Sequence, residues 1–338
     1  MSNLASEIKS PTRSKKSSFL FYGIGAVILV LVPFVITNTY VLKIISNVML
    51  YSIIALSINL IVGFSGQLDF GRSAFAGIGA YFSAITFTTL GFPFIVSLIG
   101  GGLFAALFGY LLGMLCRKTS FDYLTLITIG FSEITRLIIS NWTKITGGAY
   151  GFKTARPEFF GYELNSPIQM YFFSLVLLVF SYVGIYLVVQ SKIGRALQAL
   201  RDDPIAASYS GINVKHYKVI AFAIGSFFTG IGGAAMVHYT RFASATNYTI
   251  DESLIMLQMP ILGGLGSLPG SIIGSAILVV IPELSRVVYQ YRLLITGILM
   301  VVLMLFAPKG IMGRNGIKDQ MVSFFKKIVF RQSKHKSE

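Results

Sequence analysis

Thirty consecutive residues, Ser253 to Pro282, carry no charged side chain, and Phe19–Thr37 and Tyr171–Gln190 are uncharged over 19 and 20 residues. About 20 apolar residues in helical form cross the hydrocarbon layer of a bilayer. Inside that layer each backbone polar group must find its partner within the protein, which a helix achieves unaided. Charged residues make up only 12% of the chain, against about a quarter in soluble domains. The chain is therefore expected to be an all-α, polytopic integral membrane bundle.

Further runs complete the layout. Ile44–Phe64, Ser73–Leu90, Phe92–Cys116, Tyr123–Ser140, Val219–Val237 and Val287–Ala307 read as spans. GGLGSLPG interrupts Ser253–Pro282, so that run is expected to be broken or re-entrant. Counted as two elements it gives ten crossings; counted as a hairpin dipping from the outer face it leaves eight.

Net charge is +15, and 19 of the 28 Lys and Arg fall in residues 1–18, at Arg117 and Lys118, in 191–218, and from Lys309 onward. Positive residues gather on the cytoplasmic side. This assigns 1–18 and 309–338 to cytoplasmic tails around a transmembrane domain at 19–308, with both termini inside. The clustering also argues against nucleic acid as a partner. Cys116 is the single cysteine, so no intrachain disulfide forms. The first apolar run is too long for a signal-peptide core and is read as retained. Trp142, in the outer segment Asn141–Gln169, suits an interface anchor.

Ser191–Lys218 is the long polar interruption between spans. Asp203 can cap a helix that starts at Pro204; Ile205, Ala206, Ala207, Ser208 and Tyr209 make about two turns. Gly211 can close it in a left-handed conformation, ahead of Ile212. So short a helix needs a partner to pack on it. Arg201 and Asp202 precede it directly. A generic loop with a chance helix is the plainer alternative.

Gly63-x-x-Gly66-x-Leu68 recurs as Gly263-x-x-Gly266-x-Leu268. Paired glycine-interrupted segments in two halves of a transporter point to a substrate path. Gly63, Gly66, Gln67, Asp69, Gly71, Arg72, Gly77 and Gly79 in one half, and Gly263, Gly264 and Gly266 in the other, are candidates to line it. Their glycines can expose backbone N–H groups to a carboxylate or serve close helix packing. Asp69 and Arg72 can gate this path or form a local ion pair at the end of a span. Glu133 and Arg136, three apart on one helix face, can meet a substrate ammonium or pair with each other. No G-x-x-x-x-G-K-[ST] occurs, so no P-loop is expected. The three His residues have no metal-ligand spacing, and no nucleophile–base grouping, metal site or cofactor is anticipated.

IGRALQALRDDPIAASYSGINVKHYKVIAF at Ile193–Phe222 resembles the cytoplasmic loop of permease subunits of branched-chain amino acid ABC importers, of the M type. NLIVGFSGQLDFGRSAFAGIGAY at Asn59–Tyr81, LITIGFSEITRLIISNWTKITGGAYG at Leu126–Gly151, LGGLGSLPGSIIG at Leu262–Gly274 and MLFAPKGIMG at Met304–Gly313 resemble further blocks of that family, in order, over about residues 40–313. The chain departs from the family pattern at Arg72, where His is usual, at Pro204, where Glu is frequent, and at Ser208 and Tyr209, where an acidic residue is absent.

The resemblance implies a divided machine in the plasma membrane. An external binding protein delivers the amino acid, two homologous permeases form the path, and two ATPase subunits drive it through the loop helix, with the transmission element at Arg201–Ile212. An importer of urea, amides or another small solute, or a transporter acting alone, are the rival expectations.

Overall fold

The computed structural model describes residues 30–34, 38–119, 121–159, 162–284 and 310–313, with a few single positions between 291 and 305. The tails 1–18 and 309–338, the first span Phe19–Thr37 and the last span Val287–Ala307 lie wholly or mostly outside these. The described chain is helical: α1 Thr39–Asn59, α2 Arg72–Thr88, α3 Phe94–Cys116, α4 Phe121–Asn141, α5 Pro167–Gln190, α6 Lys192–Asp202, α7 Pro204–Tyr209, α8 Val214–Thr240, α9 Ile250–Gly263 and α10 Leu268–Leu284. Among the described residues, five helices are long and apolar enough to cross a membrane: α1 with its extension to Phe64, α3, α4 from Tyr123, α5 and α8. The polytopic helical bundle expected from the apolar runs is what forms.

α1 and α8 are the inner helices. One face of α1 packs with α5 and α8 through Leu50, Ile53, Leu56, Tyr171, Leu178 and Phe228; its opposite face packs with α9 and α10 through Ile54, Ile58, Met259 and Leu278, in a cluster that Ala80 of α2 joins. Glycines set the closest approaches. A side chain at Gly101 of α3 would come within 2.6 Å of the Gly79 carbonyl of α2, and one at Gly109 within 2.8 Å of the Phe222 carbonyl of α8. Small residues replace the hydrophobic driving force that lipid cannot supply.

Caps explain where the helices depart from the expected boundaries. α5 begins at Pro167 because Ser166 and Gln169 form a capping box: Gln169 Oε1 accepts from Ser166 N at 3.0 Å. α8 begins at Val214, with Lys215, His216 and Lys218 in its first turns; those charges hid its start. Ser253–Pro282 is a hairpin, α9 and α10 packed on each other around a turn at 264–267. At 14 and 17 residues, they rise about 21 and 25 Å, short of the roughly 30 Å hydrocarbon layer.

Residues 141–169 hold one helical turn at Thr143–Thr146 and three of the four strands of two small ribbons. β1 Phe152–Lys153 pairs antiparallel with β4 Phe242–Ala243, and β2 Glu158–Phe159 with β3 Tyr162–Glu163. Two-residue strands leave no alternating pattern to read in a sequence.

Candidate functional site

The polar loop folds as its capping residues dictate. Asp203 Oδ1 accepts from Ile205 N at 2.8 Å and Ala206 N at 3.0 Å, so α7 starts on Pro204. Gly211 sits at φ +81°, and Ile212 N donates to Ala207 O at 3.1 Å. Ala207 is buried against the bundle, while Ile205 and Tyr209 are 68% and 89% exposed. α7 thus has one anchored face and one open apolar face. Beside it lies a cleft of about 590 Å³ lined by Arg117, Lys118, Lys215 and Lys218 together with Pro204, Ile205 and Tyr209.

α6 ties α7 to the bundle through Arg201. Its guanidinium grips Asp202 Oδ1, with Nε at 3.1 Å and a terminal nitrogen at 2.9 Å. Its other terminal nitrogen donates to Gly63 O at 2.8 Å. That carbonyl is open because α1 ends in a π-helical turn, Leu60–Phe64. In an α-helix Gln67 N would donate to Gly63 O; here it donates to Ile61 O at 3.2 Å. Gly66, at φ +73°, lies under the Arg201 stem: a side chain there would stand 3.0 Å from Arg201 Cγ.

The two glycine breaks meet at this point. A side chain on Gly63 would lie 2.6 Å from Gly266 N, and one on Gly266, at φ +78°, 3.3 Å from the Arg201 guanidinium. Asn59 staples them: its Oδ1 accepts from Gly266 N at 2.8 Å, and its Nδ2 donates to Ser267 O at 2.8 Å and Ser271 Oγ at 2.7 Å. Gly264, at φ +113°, packs on Gly313, and Gly263 on Gly270. Asn59 is absent from the sequence-derived candidates, although an amide four residues before Gly63 in an apolar run was the available signal.

Deeper in the bundle, Asp69 and Arg72 form an ion pair with both side chains at 0% exposure. Arg72 Nε donates to Asp69 Oδ2 at 2.7 Å, and a terminal nitrogen bonds the same oxygen. The guanidinium lies 4.9 Å from the Phe75 ring and 5.6 Å from that of Phe222, and reaches Thr229 Oγ1 at 3.5 Å. Asp69 Oδ1 accepts from Gly71 N at 2.8 Å. Gln67, also buried, donates to Ser65 Oγ at 2.8 Å. The pair is an interior feature at the start of α2, against mid-α8.

Ser73 N donates to Ser253 Oγ at 2.9 Å; Ser253 Oγ donates to Ser73 Oγ at 2.7 Å, which bonds Ser132 Oγ at 3.0 Å. This hydroxyl chain links α2, α4 and α9 and went unnoticed in the sequence because its members are about 60 and 120 residues apart. Gly77 faces the Tyr248 ring and Gly79 the Gly230 backbone. The amides of Gly71, Ser73 and Gly266 are taken up internally, so the glycines around them act here as close-packing positions.

Glu133 and Arg136 are placed elsewhere. They pair with each other, Arg136 Nε lying 3.0 Å from both carboxylate oxygens, on a lateral face of α4 where their side chains are 37% and 29% exposed. Between α4 and α5, Glu163 Oε2 accepts from Asn165 Nδ2 at 3.0 Å and from Arg156 at 3.2 Å. First Asn165 and then Arg156 hold its carboxyl below the ordinary range.

Comparison with known proteins identifies the family. Residues 40–308 match the model of the family described as branched-chain amino acid transport system / permease component. The chain is 34% identical over 304 residues to the high-affinity branched-chain amino acid transport system permease protein LivM of Escherichia coli K12, covering 83% of this chain and 71% of that one. It is 24% identical over 315 residues to the probable LivM of Methanocaldococcus jannaschii, covering 78% and 90%. It is also 23% identical over 286 residues to LivH of Escherichia coli K12, covering 78% and 91%. No solved structure matches. With a polytopic helical bundle of the plasma membrane and a family match over most of its length, the chain belongs to the branched-chain amino acid transport system permease components.

Proposed function

We propose that this chain is one of two permeases in an ABC importer that carries leucine, isoleucine, valine or a related small solute inward, driven by ATP hydrolysis on separate subunits. The observation that carries it is α7: a capped two-turn helix, anchored by Ala207, with Ile205 and Tyr209 open to a partner and Arg201 leading from its base to both glycine breaks. A partner that pulls on α7 thereby moves the ends of α1 and the α9–α10 hairpin. Arg201–Ile212 is the ATPase-coupling element in this reading, and loop 191–218 and both termini face the cytoplasm. Residues 1–18 and 309–338 are its basic tails around the permease domain 19–308.

LivM and LivH of one organism both match this chain, which favours a second, homologous permease as partner. An external binding protein supplies the solute. Asp69, Arg72 and the glycines of the two breaks border the route. Alternating access requires solute and ATP states to favour different conformations.

Reconstitution tests the reading. The chain alone in liposomes is expected to show no concentrative uptake, and uptake is expected only with the second permease, ATPases, binding protein and ATP present. Uptake by the chain alone under an ion gradient would overturn it.

A further inference from the structure

α4 inverts the rule for a helix bathed in lipid. It is the least buried of the five long apolar helices, yet also the least apolar, with a mean hydropathy of 1.3 against 1.8 to 2.5 for the others. The exposed faces of α3 and α5 are what lipid requires: Leu103, Leu107 and Leu111 on one, Val176, Val179 and Leu187 on the other. The open face of α4 instead carries the half-exposed Glu133–Arg136 pair. Glu133 is two residues past the midpoint of Phe121–Asn141, about 3 Å along the axis. Ionisable side chains at that depth are costly in hydrocarbon and characteristically face protein or water.

Gly130 adds an independent observation. It is exposed, and a side chain built on it would meet nothing within 4 Å. No packing among the described residues accounts for a glycine there. Leu126, Gly130, Glu133 and Leu137 are spaced by four, three and four residues, one stripe of the helix. A central glycine between large apolar residues lets a second helix approach closely.

We infer that this stripe of α4 is the seam against the second permease, which covers the Glu133–Arg136 pair with polar groups of its own at the same depth. The inference rests on the paired-permease reading above. It explains why two ionisable residues in a span stand outside the core of a single chain: the seam between two chains is their interior.

Photo-crosslinking in the assembled transporter tests it. Benzoylphenylalanine replaces Leu126 or Ile134 on α4, Val179 or Leu187 on α5, and Tyr209 on α7. The expected result is an adduct to the second permease from both α4 positions, none from α5, and an ATPase adduct from α7. An α4 adduct to another copy of this chain would overturn the choice of partner. No α4 adduct with the α7 adduct intact would overturn the seam and leave the coupling reading standing. Loss of both would overturn the driven-importer reading and the seam with it. Gly130→Leu is a second variant, since the described residues leave open space there. It is expected to insert normally and to lower uptake at least about tenfold by blocking close approach. Uptake at the unsubstituted rate would contradict the seam.

Discussion

Replacing Arg72 by Met would leave the Asp69 carboxylate in a site from which solvent is wholly excluded, since both side chains of the pair have 0% exposure. What the carboxylate retains is the Gly71 amide at 2.8 Å. Removing one partner of a buried pair costs about 3–5 kcal/mol, mostly the penalty of the charge left behind. Ordinary side-chain hydrogen bonds between membrane helices average only about 0.6 kcal/mol, so the charge, not the contact count, sets this magnitude. Asp69→Asn combined with Arg72→Met removes both charges. With the shape largely kept, that double variant should recover to within about 1–2 kcal/mol of the parent. The assay is equilibrium unfolding in mixed micelles with increasing sodium dodecyl sulfate, followed by circular dichroism, for the parent, both single variants and the double. The double-mutant cycle then gives the coupling energy directly. Single variants within about 1 kcal/mol of the parent, or a double variant that loses the sum of the two, would refute the claim that the pair is a closed interior unit.

Arg72→His keeps a donor within reach of Asp69 and is expected to transport; abolished uptake would give Arg72 a specific task. Arg201→Gln is expected to leave the assembled ATPase hydrolysing ATP while uptake per ATP falls about tenfold, the scale of one lost charged hydrogen bond; Arg201→Lys should recover part of it. Ala207→Glu forces a charge into a buried position, and Gly211→Pro demands a negative φ where the backbone has +81°. Both should uncouple hydrolysis from uptake while the protein still inserts, and wild-type uptake in both would remove the docking role. At the β2–β3 ribbon, a folded-state pKa held low at Glu163 contributes stability above its ordinary value of 4.5 that is lost as pH falls; amide exchange at Phe159 and Tyr162 should therefore speed up on acidification, and less so in Glu163→Gln after correction for intrinsic rates.

Elements set by local chemistry were legible. α7 follows from Asp203, Pro204 and Gly211, whose capping preferences act within a few residues, and the long helices follow from uncharged runs. Boundaries slipped where a cap lay in polar sequence, as at Ser166 for α5 and ahead of Lys215 for α8. Asp69 and Arg72 were recognisable as a pair from their spacing. Their depth was not, because it depends on α8 supplying Phe222 and Thr229 from about 150 residues away. Glu133 and Arg136 had the same spacing and a different fate, on a lateral face. The echo between the two glycine segments was visible, but nothing local says that they touch, or that Asn59 and Arg201 join them.

The π-turn at Leu60–Phe64 has a consequence for how such a joint can move. A wide turn stores one residue more than an α-helix of equal rise uses. Relaxing it to α geometry would swing the segment carrying Gln67 and Asp69 by roughly 100° about the axis of α1, and Gln67 N would claim the Gly63 oxygen that Arg201 now holds. Two donors would then bear on one oxygen, whose two lone pairs both would have to share. The winding of α1 and the grip of Arg201 therefore meet at the same atom.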